Sequence, residues 1–171
     1  MKSIKIIIAG SRNFNDYKKM RKTLDSIISL KVHEGDSVEI IEGGARGADK
    51  LGMQYALEED IPFKEFPAEW ENLNVTPCVV KIDRLGRKYN VLAGHNRNKK
   101  MAEYAKKESD IAILVAFWDG KSPGTKNMIE QAQKLKIEVV IVKEEDNSSV
   151  CIGWILFRLK RKSFKKENSL C

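Results

Sequence analysis

Cysteine and histidine are scarce in this chain, and the shortage excludes several classes of protein at once. The three cysteines, Cys78, Cys151 and Cys171, lie far apart and are odd in number. Neither a disulfide framework nor a cysteine-based zinc site is expected, and a reducing cytoplasmic setting fits. His95 has no second histidine near it in the sequence, so no metal site is expected, and no cofactor either. No apolar run reaches the roughly 18–20 residues that span a bilayer, so no membrane partner is expected. The N-terminal "MKSIKIIIAGSRNF" lacks a small-residue cleavage site, and its apolar run has the length of a buried strand rather than a leader. Also missing are the G-x-x-x-x-G-K-[ST] phosphate loop and the G-x-G-x-x-G dinucleotide fingerprint.

Positive charge is in excess but unevenly spread. The formal net charge is +7 over 171 residues. Arg158, Lys160, Arg161, Lys162, Lys165 and Lys166 face the single acid Glu167, so the end of the chain holds most of it. A terminal run of like charge repels itself, and a solvated tail is the expected reading; contact with nucleic acid or an acidic surface is the alternative. The length suits one domain, taken as 1–145, followed by a C-terminal extension with a basic tail, 146–171.

Apolar periodicity alternates along the body. Residues 3–9 are β-branched and bounded by Gly10, which predicts a buried strand. From about Phe14 to Leu30, Tyr17, Met20, Leu24, Ile27 and Ile28 recur at helical spacing. Strands follow at 38–41, 62–66, 111–117 and 138–142, with helices over 48–60, 94–109 and 124–136 between them. The run 111–117 is the most apolar and is expected at the sheet centre. Such alternation predicts an α/β fold, a Rossmann-like three-layer sandwich with a mainly parallel sheet of about five strands. Residues 67–93 are too long for an ordinary connection and suggest a lid or binding loop. "VCIGWILF" (150–157) reads equally as an edge strand or a docked helix.

In such sheets ligands bind beyond the carboxyl ends of the strands, and the glycine clusters fall there. "IIEGGARGADKLG" turns from a strand into a helix through Gly43, Gly44, Ala45, Arg46, Gly47, Ala48 and Asp49. Bare amides at a helix N-terminus favour an anion, most often phosphate. Tight turning alone is the bland alternative. After the first strand come Gly10, Ser11 and Arg12, a hydroxyl and a guanidinium suited to phosphate or carboxylate. "DGKSPGT" contributes Asp119, Gly120, Ser122, Gly124 and Thr125, and "AGHNRN" contributes Arg97 and Asn98. Thr125 reads as readily as a helix cap, and Asp119 as readily as a turn residue. Asp49 reads better as a structural cap than as a base. Trp70, within "PAEW", and Trp118 are candidates for stacking on a base, with packing the commoner role.

These motifs in order, "GSRNFND", "GGARGADKLG", "FPAEW", "AGHNRNKKMAEYA" and "AFWDGKSPGTKNMIEQA", resemble the YspA-like branch of the SLOG superfamily, over roughly residues 4–142. Its wider membership includes the LOG phosphoribohydrolases and DprA. The resemblance implies a Rossmann-like fold that binds nucleotides or nucleotide-derived molecules, and commonly a homo-oligomer. It places Gly43, Gly44, Gly47 and Ala48 on the phosphate-binding glycine motif, and Gly124 and Thr125 on a second one. Arg97 and Met101 fit the spacing of the LOG enzymes, whose arginine is catalytically important. Their catalytic glutamate corresponds to Met128 here. Glu130 is rotated about 200° away on the helix and is expected to face solvent, which leaves Asp119 as the candidate carboxylate beside Arg97. The leading expectation is therefore a binding protein for a nucleotide-derived ligand. A nucleotide N-glycosidase and a DprA-like nucleic-acid binder using the basic tail and the loop arginines are the alternatives.

Overall fold

The computed structural model describes residues 1–144. Five strands form one parallel sheet: β1 (Ser3–Gly10), β2 (Ser37–Glu42), β3 (Phe63–Glu65), β6 (Ile111–Trp118) and β7 (Glu138–Lys143). Their order is β3-β2-β1-β6-β7. The sheet middle therefore belongs to β1, not to the 111–117 run; β6 lies beside it, flanked on its other edge by β7. Both strands must be apolar on both faces, so apolarity alone does not rank them.

Four helices cover the two faces: α1 (Tyr17–Lys31), α2 (Ala48–Glu58), α3 (Ala93–Lys107) and α4 (Pro123–Lys134). Side chains alternate across a strand, and β1 shows it directly. Ile4, Ile6 and Ile8 pack with Met20, Leu24 and Tyr55 of α1 and α2. Ile7 and Ala9 pack with Met101, Ala105, Met128 and Ala132 of α3 and α4. The chain thus forms the expected three layers, and Met128 is a core residue, 1% exposed. Helix α1 begins later than its apolar pattern suggests. Asp16 caps it by accepting the Lys19 N–H at 2.9 Å, while Phe14 stays outside the helix and stacks on Phe117, ring centroids 4.7 Å apart.

Within 67–93 the expected irregular stretch holds a two-stranded antiparallel hairpin, β4 (Val80–Ile82) and β5 (Lys88–Asn90). Strands of three residues are too short to register as a period. Buried Asn90 fixes its base, its Oδ1 accepting the N–H groups of Val79 (3.1 Å) and Leu92 (3.0 Å). No helix among the described residues is long and apolar enough to cross a membrane. The C-terminal extension, with "VCIGWILF" and the basic tail, lies outside the described residues.

Candidate functional site

The glycine turn after β2 owes its composition to the protein's own groups. A Cβ on Gly43 would sit 1.2 Å from Nη1 of Arg97 and 2.2 Å from its Cζ, so the guanidinium lies directly on the bare main chain. Gly47 has φ +80°, and its Cβ would meet the Ser11 carbonyl at 2.3 Å. Between them, Gly44 leaves space for the Glu65 carboxylate. A side chain at any of the three would push apart elements that meet here from β1, β2, β3 and α3.

The amides of Gly43, Gly44 and Ala45 are not bare, which narrows the expected cradle. Asp49 is buried, and its Oδ2 accepts the N–H groups of Gly43 and Ala45, each at 3.2 Å. Oε2 of Glu42 accepts the Gly44 N–H at 2.5 Å. The physical reason is local: a carboxylate in the first turn of α2 complements the same helix dipole that would attract a ligand. Arg97 then supplies the counter-charge, its Nη1 3.5 Å from Asp49 Oδ2.

Burial dominates the electrostatics. Glu42 is 1% exposed, and desolvation pushes its carboxyl up to about 7. The Gly44 N–H opposes this, Asp49 and Glu65 add to it, and Arg97 draws it down. Asp49 is also raised by burial, against the pull of Arg97 and the two amides. Oε1 of Glu42 and Nε of Arg97 are buried without a hydrogen-bond partner among the described residues. Folding therefore takes up a proton at Glu42 between its ordinary value near 4.5 and about 7. The native state binds more protons than the unfolded one in that window, so this group's contribution falls as pH rises through it and is flat above. Glu42→Gln keeps an acceptor for Gly44 and is expected to stabilise the protein by about 2 kcal/mol at pH 8, with little effect near pH 4. Urea unfolding at the two pH values measures the difference, and an equal effect at both would refute the assignment.

Beside this floor lies a hollow of about 280 Å³, lined by Gly43, Gly44, Ala45, Arg12, Arg46, Arg97, Glu65, Pro67, Ala68 and Trp70. Arg12 and Arg46 are exposed and have no ion pair or hydrogen bond among the described residues. Trp70 is 41% exposed, with its ring close to Gly94 at the start of α3. A second hollow of about 320 Å³ shares Pro67 and Arg97 with the first. Its cations are already paired, Lys100 with Glu69 at 2.6 Å and Lys99 with Glu103 at 3.7 Å.

The residues expected at the site divide into two groups. Those following β1 and β2 reach the hollow through Arg12, Gly43, Gly44, Ala45 and Arg46, and Arg97 joins them from α3. Gly10, Gly47 and Ala48 serve the packing beneath: a Cβ on Gly10 would stand 2.6 Å from Ala48 Cβ and 2.5 Å from the Phe117 carbonyl. Ser11 is buried, its Oγ accepting the Asn13 N–H at 3.1 Å while its carbonyl receives Phe14 and Ala48. The loop after β6 does not line the hollow. Asp119 closes a turn instead, its Oδ1 accepting the N–H groups of Lys121 (2.9 Å) and Ser122 (2.7 Å), and these bonds hold its carboxyl below the usual range. Its assignment as the carboxylate beside Arg97 is corrected: Asp49, Glu42 and Glu65 hold that place. Gly120, Ser122, Gly124 and Thr125 lie with it; Thr125 is buried, with its Oγ1 3.1 Å from Ser122 Oγ. Asn98 is buried too, donating to Gly124 O (3.1 Å) and Asn127 Oδ1 (3.0 Å), and so ties α3 to α4. His95 and Glu130 are exposed. No cluster of metal ligands occurs among the described residues. Sequence reading missed Glu42 and Glu65; an acid ending a buried strand directly before two glycines was the available signal.

The match to known proteins follows the same segments. Residues 4–73, which contain all of β1 but its first residue, the glycine turn and Trp70, match the family model described as YspA, cpYpsA-related SLOG family. The Gene 61 protein of Mycobacterium phage D29 is 30% identical over 139 residues, covering 80% of this chain and 94% of that protein. In the X-ray structure of DNA processing protein A (DprA) from Streptococcus pneumoniae, a likeness with TM-score 0.53 and 15% identity covers 81% of this chain. The chain spans about half the length of that protein, 49%, and at this identity the likeness concerns the fold alone. By motif, fold and relationship, the chain belongs to the YspA, cpYpsA-related SLOG family.

Proposed function

We propose that residues 1–145 form a binding domain for a nucleotide or nucleotide-derived ligand, whose phosphate is held by Arg12, Arg46 and Arg97. The observation that carries this reading is the pair of unpaired guanidiniums, Arg12 and Arg46, beside a hollow that has Trp70 on its wall. Guanidinium forks match phosphate oxygens, and unpaired ones lose no internal partner on binding. An indole face offers a base an area for stacking. Glu65 supplies an acceptor for ribose hydroxyls, and the hollow lies near the lower end of the ~300–1,000 Å³ typical of small-molecule sites. The phosphate is thus recognised by side chains, with Gly43–Ala45 as the floor.

Calorimetric titration against mononucleotides, cyclic nucleotides and ADP-ribose tests this. At least one phosphate-bearing ligand is expected to bind, and Arg12→Ala with Arg46→Ala is expected to weaken it at least thirtyfold, about 2 kcal/mol. Failure of every ligand with the folded protein would refute the reading.

A second reading, hydrolysis of an N-glycosidic bond, is favoured by one observation: Glu42, Asp49 and Glu65 gather near Arg97, where burial pushes the Glu42 carboxyl up to about 7. A carboxylate stabilises the positive charge that develops on ribose, and a carboxylic acid can protonate the departing base. Release of free base in the same samples would establish it. The nucleic-acid reading would use the loop arginines together with the basic tail, and the tail lies outside the described residues.

A further inference from the structure

The β4–β5 hairpin presents apolar side chains to water in a way its own fold does not require. Ile82 is 64% exposed and Leu85 76%, with Val79 and Val80 beside them. The tip is nonetheless tightly built. Asp83 Oδ1 accepts the N–H groups of Leu85 (2.8 Å) and Arg87 (3.0 Å), and Oδ2 accepts Nε–H of Arg87 at 2.8 Å. Backbone bonds between Asp83 and Arg87 (3.0 Å) and from Gly86 to Asp83 (3.1 Å) close the turn. A two-stranded ribbon alone is marginal in water, so a preorganised tip that holds a leucine outward points to a partner.

The charge of the ribbon identifies the partner's chemistry. Lys81, Arg84, Arg87 and Lys88 face a single acid, Asp83, which pairs with Arg87. The side chains of Lys81, Arg84 and Lys88 have no ion pair or hydrogen bond among the described residues. Ile82 and Lys88 are cross-strand neighbours on one face of the ribbon. We propose that this hairpin docks the protein on an anionic lipid surface, with Leu85 and Ile82 entering the headgroup layer and Lys81, Arg84 and Lys88 meeting the anionic headgroups. A second copy of the chain would set like charges together. A nucleic acid would answer the charge but offers little apolar medium for four aliphatic side chains. Lipid answers both, and it requires no spanning helix, so the absence of an apolar run long enough to cross a bilayer does not bear on it. The sequence beyond the described residues carries the same pairing, "VCIGWILF" followed by six cations and one acid. Stable attachment generally takes two such signals.

Flotation of the full chain with vesicles tests this, comparing phosphatidylcholine alone with the same lipid containing about a third phosphatidylglycerol. Binding is expected only to the anionic vesicles and is expected to weaken with salt. Lys81→Gln, Arg84→Gln and Lys88→Gln together are expected to lower it about a hundredfold, roughly fivefold per cation. Ile82→Ser with Leu85→Ser is expected to lower it at least tenfold while leaving the circular dichroism unchanged. No binding to anionic vesicles overturns the proposal, as does undiminished binding by both variants, which would assign it to the tail. It is equally overturned if the serine variant splits a dimer of the wild type, or if these substitutions abolish duplex DNA binding and spare the vesicles.

Discussion

Arg97→Met is expected to destabilise the protein by about 3–5 kcal/mol at neutral pH, the cost of stranding a buried charge. The side chains of Arg97 and Asp49 are 15% and 7% exposed, so neither has ready recourse to water. Without the guanidinium, Asp49 keeps two amide partners, but its charge and that of Glu42 lose their nearest cation. Adding Asp49→Asn is expected to restore at least half the loss, because the neutral side chain still accepts from the turn. Lowering the pH is expected to shrink the defect in the single variant, since both carboxyls are already shifted upward and protonate readily. Urea unfolding of the two variants gives the answer. A loss below about 1 kcal/mol, or no recovery in the double variant, would mean that Arg97 does not balance these carboxylates.

Gly43→Ala is expected to weaken ligand binding by between tenfold and a hundredfold and to lower stability by about 1–3 kcal/mol. The new methyl group falls on the position of Arg97 Nη1, so the guanidinium must lift off the floor and leave Asp49. Gly124→Ala is the matched control. Nothing lies within 4 Å of its added Cβ, and it stands in the first turn of α4, away from the hollow. That substitution is expected to leave affinity unchanged and stability unchanged or raised by up to about 1 kcal/mol. Thermal unfolding and titration of both variants distinguish them; the opposite ranking would move the anion site to the turn before α4.

The two glycine positions also show how far the sequence is legible. Alternation of Ile4, Ile6 and Ile8 with Ile7 and Ala9 made β1 and its two packing faces readable, because a period of two is local. The five-strand parallel sheet followed from the same local patterns, whereas the order within it depends on which apolar strand pairs with which. Glycines marked the correct turn after β2, yet their reason lay elsewhere in the chain. Arg97 and Glu65 reach Gly43 and Gly44 only after the sheet and α3 are assembled. Asp119 shows the converse: a strand-end aspartate looks the same in sequence whether it faces a ligand or caps its own turn. Glu42 was hidden in a strand pattern, and only its burial reveals an unusual carboxyl.

The most direct measurement compares the binding of adenosine monophosphate with that of adenosine, in the wild type and in Arg12→Ala with Arg46→Ala. The account predicts that the phosphate strengthens binding well over thirtyfold in the wild type and only several-fold in the variant, where Arg97 alone remains to hold it. Equal binding of the two ligands by the wild type, or a phosphate advantage undiminished by loss of both arginines, would contradict it.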